Sequence, residues 1–315
     1  PFILFYYLIS IFLSVHRLKK VIKDINPEII HANSIRSGII TSLAKKKEFL
    51  IWHIRDILGS GLMGYIIRKL ARKADKLVYI SEFLKTEFCL KDNELLQKSI
   101  VVYNGIDFTK IDAATNLEHF REEFRLNNGS WPLIGCIGYI APLKGQEEFI
   151  RAASQIIRKY PGAKFFIAGD VIFRQKNQRY FKRLKKLIDH DPELRMNVFW
   201  TGFYNDIYLL IKSMDLIIQP SWIEGWGRTI CEGFACGIPV VCSKVGGIPE
   251  IVKYGTNRFL VNSQNVKEIL NKTIDILENL DLIKKYIIEN QEYVKQKFTL
   301  NNYTNNIIGV YDESD

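Results

Sequence analysis

Residues 218–252 read IQPSWIEGWGRTICEGFACGIPVVCSKVGGIPEIV, and the order of residue types there has a direct physical reading. An apolar run ends as a strand at Gln219-Pro220-Ser221. A loop holding Glu224, Gly225 and Gly227 follows, and a helix opens near Arg228 and carries Glu232. Glycines ahead of a helix N-terminus let backbone amides approach an anion, and the helix dipole favours negative charge at that end. A phosphate fits such a seat. Glu224 and Glu232 are separated by seven residues, one before the helix and one in its first turns, so they can face two hydroxyl-rich parts of one extended ligand.

On both sides of this segment, short β-branched or aromatic runs alternate with helical patterns along the chain, which is the signature of buried parallel strands in a doubly wound α/β sheet. Strands are expected near residues 28–32, 49–53, 76–81 and 99–103, then near 133–137, 164–168, 198–201, 216–219, 239–242 and 258–261. Helices are expected over 146–159, 178–189, 206–214, 228–235 and 266–277. The polar stretch 108–132, with one short helical pattern at 120–126, reads as a connection between two domains.

A length of 315 residues supports two such domains, and 47% hydrophobic with 25% charged residues is ordinary globular composition. Five cysteines form an odd set with no C-x-x-C pair, which suits a reducing compartment. The net charge is +10, and residues 1–110 hold eighteen Lys and Arg against ten Asp and Glu. The basic field therefore belongs to the first third, where nucleic acid, an anionic membrane surface or a phosphorylated substrate would each account for it. Residues 1–15 are apolar except for Ser10 and Ser14, and the stripe continues through Leu18, Val21, Ile22 and Ile25 to Asn26-Pro27. Fifteen helical residues fall short of a membrane span, so a buried helix is expected, with an interfacial anchor or the end of a longer span as alternatives.

Several patterns look chemical and read better as structure. Gly59-Ser60-Gly61-Leu62-Met63-Gly64 matches a dinucleotide fingerprint, but His53, Arg55 and Asp56 intervene between the strand and its first glycine. Asp189-His190-Asp191 has the form of a metal-nucleotide clamp, yet it precedes Pro192 where loop residues are expected. The basic segment 174–186, with Tyr180, Phe181, Leu184 and Leu187 interleaved, reads as an amphipathic helix packed on the second sheet. No histidine or cysteine spacing marks a metal site.

The segment from Glu224 to Glu232 with GFACGIPVVCSKVGGIPE after it resembles the E-x7-E region of family 4 (group 1) glycosyltransferases. Further matches fall in the family's order: PEIIHAN (27–33), VYISEFLK (78–85), VVYNGID (101–107), IGCIGYIAPLKGQEEFIRAA (134–153), FFIAGD (165–170) and WTGFYND (200–206). The resemblance implies the GT-B fold, two Rossmann-like doubly wound domains facing across a cleft. It implies an acceptor-side domain over 1–108, joined by a C-terminal helix at 298–315, and a nucleotide-sugar donor domain over 109–297. By matching position, Glu232 would bind ribose hydroxyls and Glu224 hydroxyls of the transferred sugar. Lys144 would neutralise the diphosphate with help from backbone amides near Arg228 and Thr229, beside Gly138, Tyr139, Gly225 and Gly227. Gly202 and Phe203 would lie by the base. His53 would stand on the acceptor side with Arg55 and Asp56, and His53, Lys144 and Glu224 would be the catalytic set.

Two departures accompany the match. The family usually has Arg where Tyr139 stands, so Arg228 is expected to replace part of that charge. The family's opening strand and glycine-rich loop are missing ahead of the helix before Pro27, so the first domain is expected to be incomplete. The implied reaction is retaining, metal-independent transfer from a nucleotide-diphosphate sugar, with no further cofactor, to a glycan or lipid-linked acceptor in cell-surface polysaccharide or glycolipid synthesis. The implied setting is cytoplasmic and peripheral at the inner face of an anionic membrane, without nucleic acid. A GT-B nucleotide-sugar epimerase and a non-catalytic sugar- or lipid-binding subunit remain alternatives.

Overall fold

The computed structural model describes residues 2–59, 61–172 and 175–314, with side chains from Ile9 onward. The chain divides into two compact units, residues 1–105 with 301–315, and residues 106–300.

The first unit holds four strands, β1 (Ile29–Ala32), β2 (Phe49–Ile54), β3 (Lys76–Tyr79) and β4 (Ser99–Val101), in the order β1-β2-β3-β4. Every pairing is parallel, with His31 opposite Ile51 and His53 opposite Val78. Parallel strands need covered faces. One cover is the helix Leu300–Asp312, whose Ile307 and Val310 pack on Ile51, Val78 and Val102. The apolar opening corrects an expectation. It forms the helix Phe2–Ile25 beside the helix Ile35–Ala44; the side chains of residues 1–8 lie outside the described ones, and from Ile9 onward Phe12 is 71% exposed, Ile9 and Leu13 are also exposed, and Ile22 is the buried apolar residue.

The second unit holds six parallel strands: β5 (Leu133–Ile137), β6 (Lys164–Ala168), β7 (Val198–Gly202), β8 (Leu216–Gln219), β9 (Val240–Ser243) and β10 (Leu260–Val261). Their order is β10-β9-β8-β5-β6-β7, so the winding reverses between β5 and β8. Phe149, Phe165, Phe166, Phe234 and Phe259 fill the layers around this sheet. Arg258 lies in the turn of helix Thr256–Phe259 rather than in the expected strand, and β10 is two residues long. The basic segment forms the helix Gln175–Asp189 and buries Tyr180, Leu184 and Ile188. Asp191 is a helix cap, its carboxylate accepting from the backbone of Glu193 and Leu194.

The stretch 108–132 is not a connection. It folds into the helices Phe108–Ala113 and Leu117–Glu123 and belongs to the second unit. Phe120 is fully buried, with its ring 5.1 Å from Phe166 and 4.8 Å from Phe124. A few aromatics among many polar residues were enough to anchor it, and an average over the stretch hid them. No helix among the described residues is long and apolar enough to cross a membrane. Phe120→Ala is expected to destabilise the second unit by about 3–5 kcal/mol, as for other buried aromatics. Urea denaturation checks this; a loss of a few tenths of a kcal/mol would restore the reading of 108–132 as a linker.

Candidate functional site

Ligands of wound α/β sheets bind beyond the strands' carboxyl ends, where the winding reverses. In the second unit that place lies between the loops after β5 and β8. The backbone N–H of Trp222, after β8, donates to the carbonyl of Leu143, after β5, at 2.8 Å. Lys144 Nζ then reaches Glu224 Oε2 at 2.6 Å, with the two side chains only 15% and 17% exposed. Two glycines make this approach possible. A Cβ on Gly145 would sit 2.0 Å from the Pro220 carbonyl oxygen, and one on Gly246 would sit 1.7 Å from that of Glu224; both residues have positive φ. Lys144 Nζ also lies 5.3 Å from the centre of the Tyr139 ring, so the tyrosine supplies an aromatic face where a second cation was missing.

Beside this pair a cavity of about 520 Å³ is lined by Gly138, Tyr139, Asp170, Phe203, Arg228 and Glu232, among others. Arg228 and Glu232 come from the helix Arg228–Ala235, one turn apart, with Arg228 Nε 2.8 Å from Glu232 Oε1. Glu232 is buried, and that burial raises its carboxyl pKa while the Arg228 guanidinium pulls it back down. Gly227 occupies the N-cap of this helix with no side-chain cap. Thr229, in the first turn, directs its hydroxyl to the Ile137 carbonyl at 3.5 Å. Phe203 is 74% exposed at the cavity edge, and Gly202 before it has φ +62. The structure thus gathers the expected donor-side residues of the second unit at one sheet edge, although Lys144 and Glu224 stand beside the cavity rather than in its lining.

His53, Arg55 and Asp56 lie in the first unit, at the carboxyl end of β2. His53 is fully buried, neither ring nitrogen has a hydrogen-bond partner among the described residues, and its ring stacks on His31 with centres 5.5 Å apart. His31 Nδ1 and the Tyr311 hydroxyl are hydrogen-bonded at 2.7 Å. Burial lowers the His53 pKa to about 3, and Arg55 and His31 add to the effect. Burial first and Arg55 second lower that of His31. Both rings are neutral near pH 7. Asp56 is exposed.

The sequence model described as Glycosyl transferases group 1 matches residues 119–293, and that described as Glycosyltransferase Family 4 matches residues 1–110. The chain belongs to the glycosyl transferases of group 1. It is 24% identical to an uncharacterized glycosyltransferase of Methanocaldococcus jannaschii, over 97% of this chain and 81% of that one. It is 25% identical to the Escherichia coli UDP-Gal:alpha-D-GlcNAc-diphosphoundecaprenol alpha-1,3-galactosyltransferase, over 84% of this chain and 70% of that one. Among solved structures it resembles Anabaena HepE in complex with UDP-glucose, with a TM-score of 0.85 and 25% identity, covering 95% of this chain and 82% of that one. The fold is therefore the two-domain α/β architecture of GT-B glycosyltransferases.

Sequence reasoning assigned no role to several residues of this glycosyltransferase that the fold brings to its candidate sites. Asp170, Tyr204 and Asn205 line the cavity. Their signal was their position in FFIAGD and WTGFYND, directly after strands. His31 and Tyr311 had no local signal, since 280 residues separate them. One consequence is measurable. A histidine whose folded pKa falls below its ordinary 6.5 contributes stability that is complete above 6.5 and is lost as pH falls toward about 3. The wild-type chain is therefore expected to lose up to about 1.4 kcal/mol per pH unit more than His53→Phe on acidification through that window. Urea titrations at pH 7, 6 and 5 test it, and equal slopes would mean the His53 ring is protonated in the fold.

Proposed function

We propose that this glycosyltransferase moves a sugar from a nucleoside-diphosphate sugar to a glycan or lipid-linked acceptor, with retention at the anomeric carbon and without a divalent metal. Its place would be the synthesis of a cell-surface polysaccharide or glycolipid at the inner face of the membrane. The observation that carries this reading is the cation–carboxylate pairing at the β5/β8 reversal, beside a cavity and an uncapped helix N-terminus. The UDP-glucose named for HepE and the diphosphoundecaprenol-linked acceptor named for the E. coli relative support the substrate classes.

The residues would act by exchanging partners. The departing diphosphate carries the developing charge, and positioned cations and backbone amides stabilise it at the moment of bond cleavage. Lys144 and Arg228 would turn from their carboxylates to the diphosphate, whose other oxygens would meet the amides of Arg228 and Thr229. Glu224 and Glu232 would then accept hydrogen bonds from sugar and ribose hydroxyls. Neither carboxylate is left unpaired, which matters because a charge stripped of its partner in a half-buried site costs several kcal/mol. Protein cations neutralise the leaving group, which is why the transfer is proposed to run without metal.

Binding and turnover test the scheme. Lys144→Ala is expected to weaken binding of UDP or GDP tenfold or more while leaving the bare nucleoside unchanged, and Glu232→Gln to weaken both. A charge-assisted hydrogen bond of about 1.5–3 kcal/mol sets that scale. Calorimetry reads the affinities, and the anomeric coupling of the product, followed by NMR with excess EDTA present, reads the stereochemistry. An inverted product, or activity abolished by EDTA and restored by Mn²⁺, would overturn the mechanism.

A further inference from the structure

At the carboxyl edge of the first sheet, parallel pairing brings together three side chains far apart in sequence. Asn33 follows β1, Arg55 follows β2 and Asn104 lies beyond β4. Arg55 Nη2 donates to Asn104 Oδ1 at 2.5 Å, and Nη1 donates to Asn33 Oδ1 at 3.4 Å. Both partners are neutral amides. Arg55 is in none of the ion pairs found among the described residues, and the carboxylate next to it in sequence, Asp56, is exposed and unpaired with it. The guanidinium cannot shed its charge at any working pH. Tied through two of its five N–H groups, it has no other hydrogen-bond partner among the described residues, which leaves the rest of its donors for a ligand.

The surroundings favour an anion as well. Because the oxygens of Asn33 and Asn104 face Arg55, their NH2 groups are further donors at the same edge. The helix Ile35–Ala44 starts two residues after Asn33, capped by Ser34, and its positive end adds to the field. Below lie His53, fully buried with both ring nitrogens unpartnered, and His31, whose Nε2 is likewise unpartnered. Arg55 is near enough to lower the pKa of both rings. The histidine nitrogens are enclosed by the fold, so it is Arg55 and the two amide groups at the edge that present donors to a ligand. A carboxylate offers two oxygens in one plane, whereas a phosphate, monoester or diester, offers its anionic and ester oxygens in a tetrahedral arrangement that meets donors from several directions.

We propose that Arg55, braced by Asn33 and Asn104, is the receptor for a phosphate group carried by the acceptor. This deepens the transferase reading above, since it rests on the first unit being the acceptor side. The phosphate belongs either to a lipid headgroup or to a soluble phosphorylated sugar.

The test uses the full chain with 15N-labelled arginine, following the Nε–H signal that disappears in Arg55→Lys. Inorganic phosphate is expected to shift that signal saturably, and chloride at matched ionic strength is not. Asn33→Asp changes an exposed residue and gives Arg55 a carboxylate, so it should weaken the phosphate response tenfold or more with the fold intact. Vesicles of phosphatidylcholine containing phosphatidylinositol, compared with glucose 6-phosphate, identify the source: whichever shifts the signal in wild type and not in Asn33→Asp is the matching class. Equal responses to phosphate and chloride, or an undiminished response in Asn33→Asp, overturn the proposal. The Lys144→Ala, Arg228→Ala double variant keeps the two readings apart. It should lose nucleotide binding and keep the Arg55 response. Retained nucleotide binding there would overturn the donor-site reading alone, and a lost Arg55 response would overturn the phosphate receptor alone.

Discussion

Every strand pairing described in both sheets is parallel, and most of the chain's organisation follows from that constraint. A parallel pair cannot be closed by a tight turn, so the chain must cross back over a sheet face between neighbours, usually as a helix. All strands then end at the same edge, and each crossover helix begins there. Carboxyl-end loops, helix N-termini and their orphan amides collect along one line. In the second unit the reversal between β5 and β8 parts the crossovers at that edge, and Lys144 and Glu224 meet across the gap.

That meeting sets the electrostatic character of the site. Each carboxylate has its own cation at hydrogen-bonding distance, which the fold tolerates far better than unmatched carboxylates at 17% and 6% exposure. On the proposed donor reading, a phosphorylated ligand would displace both carboxylates, so part of its binding energy would go into breaking existing pairs. The compensation is selectivity. A ligand with phosphate but no hydroxyls would leave Glu224 and Glu232 without donors, and one with hydroxyls but no phosphate would leave the original pairs in place. Gly145 and Gly246 are the backbone condition for this balance, because a side chain at either position would push apart the loops that carry it.

Much of this was legible in the sequence because it is local. The strand–loop–helix unit at 216–235, the glycines before Arg228 and the Glu224/Glu232 spacing all act within a few turns of chain. Periodicity found the strands for the same reason, since burial on both faces leaves continuous apolar runs in β5, β6 and β8. What escaped depends on distance or on partners. The contact of His31 with Tyr311 joins the two ends of the first unit. The helix Leu117–Glu123 owes its place to one aromatic cluster in a polar stretch. The exposure of the opening helix depends on how much neighbouring surface is there to cover it, and an apolar run carries no such information.

The same edge geometry is used differently in the first unit. Its described strands run in simple order, β1-β2-β3-β4, with no reversal to part the loops. Side chains there must reach over the edge themselves. Asn33 and Asn104 do so from strands that are not adjacent, and Arg55 spans between them. Depth then divides the chemistry. Imidazole gives up its proton when buried, so His53 and His31 become neutral rings, and His31 hydrogen-bonds Tyr311 without carrying charge. Guanidinium does not, so Arg55 at the rim keeps a permanent charge. A fixed cation above neutral rings attracts an anion without the internal carboxylates that the second unit uses. On the proposed readings, an anion here would displace no resident ion pair, whereas a diphosphate in the second unit would break two.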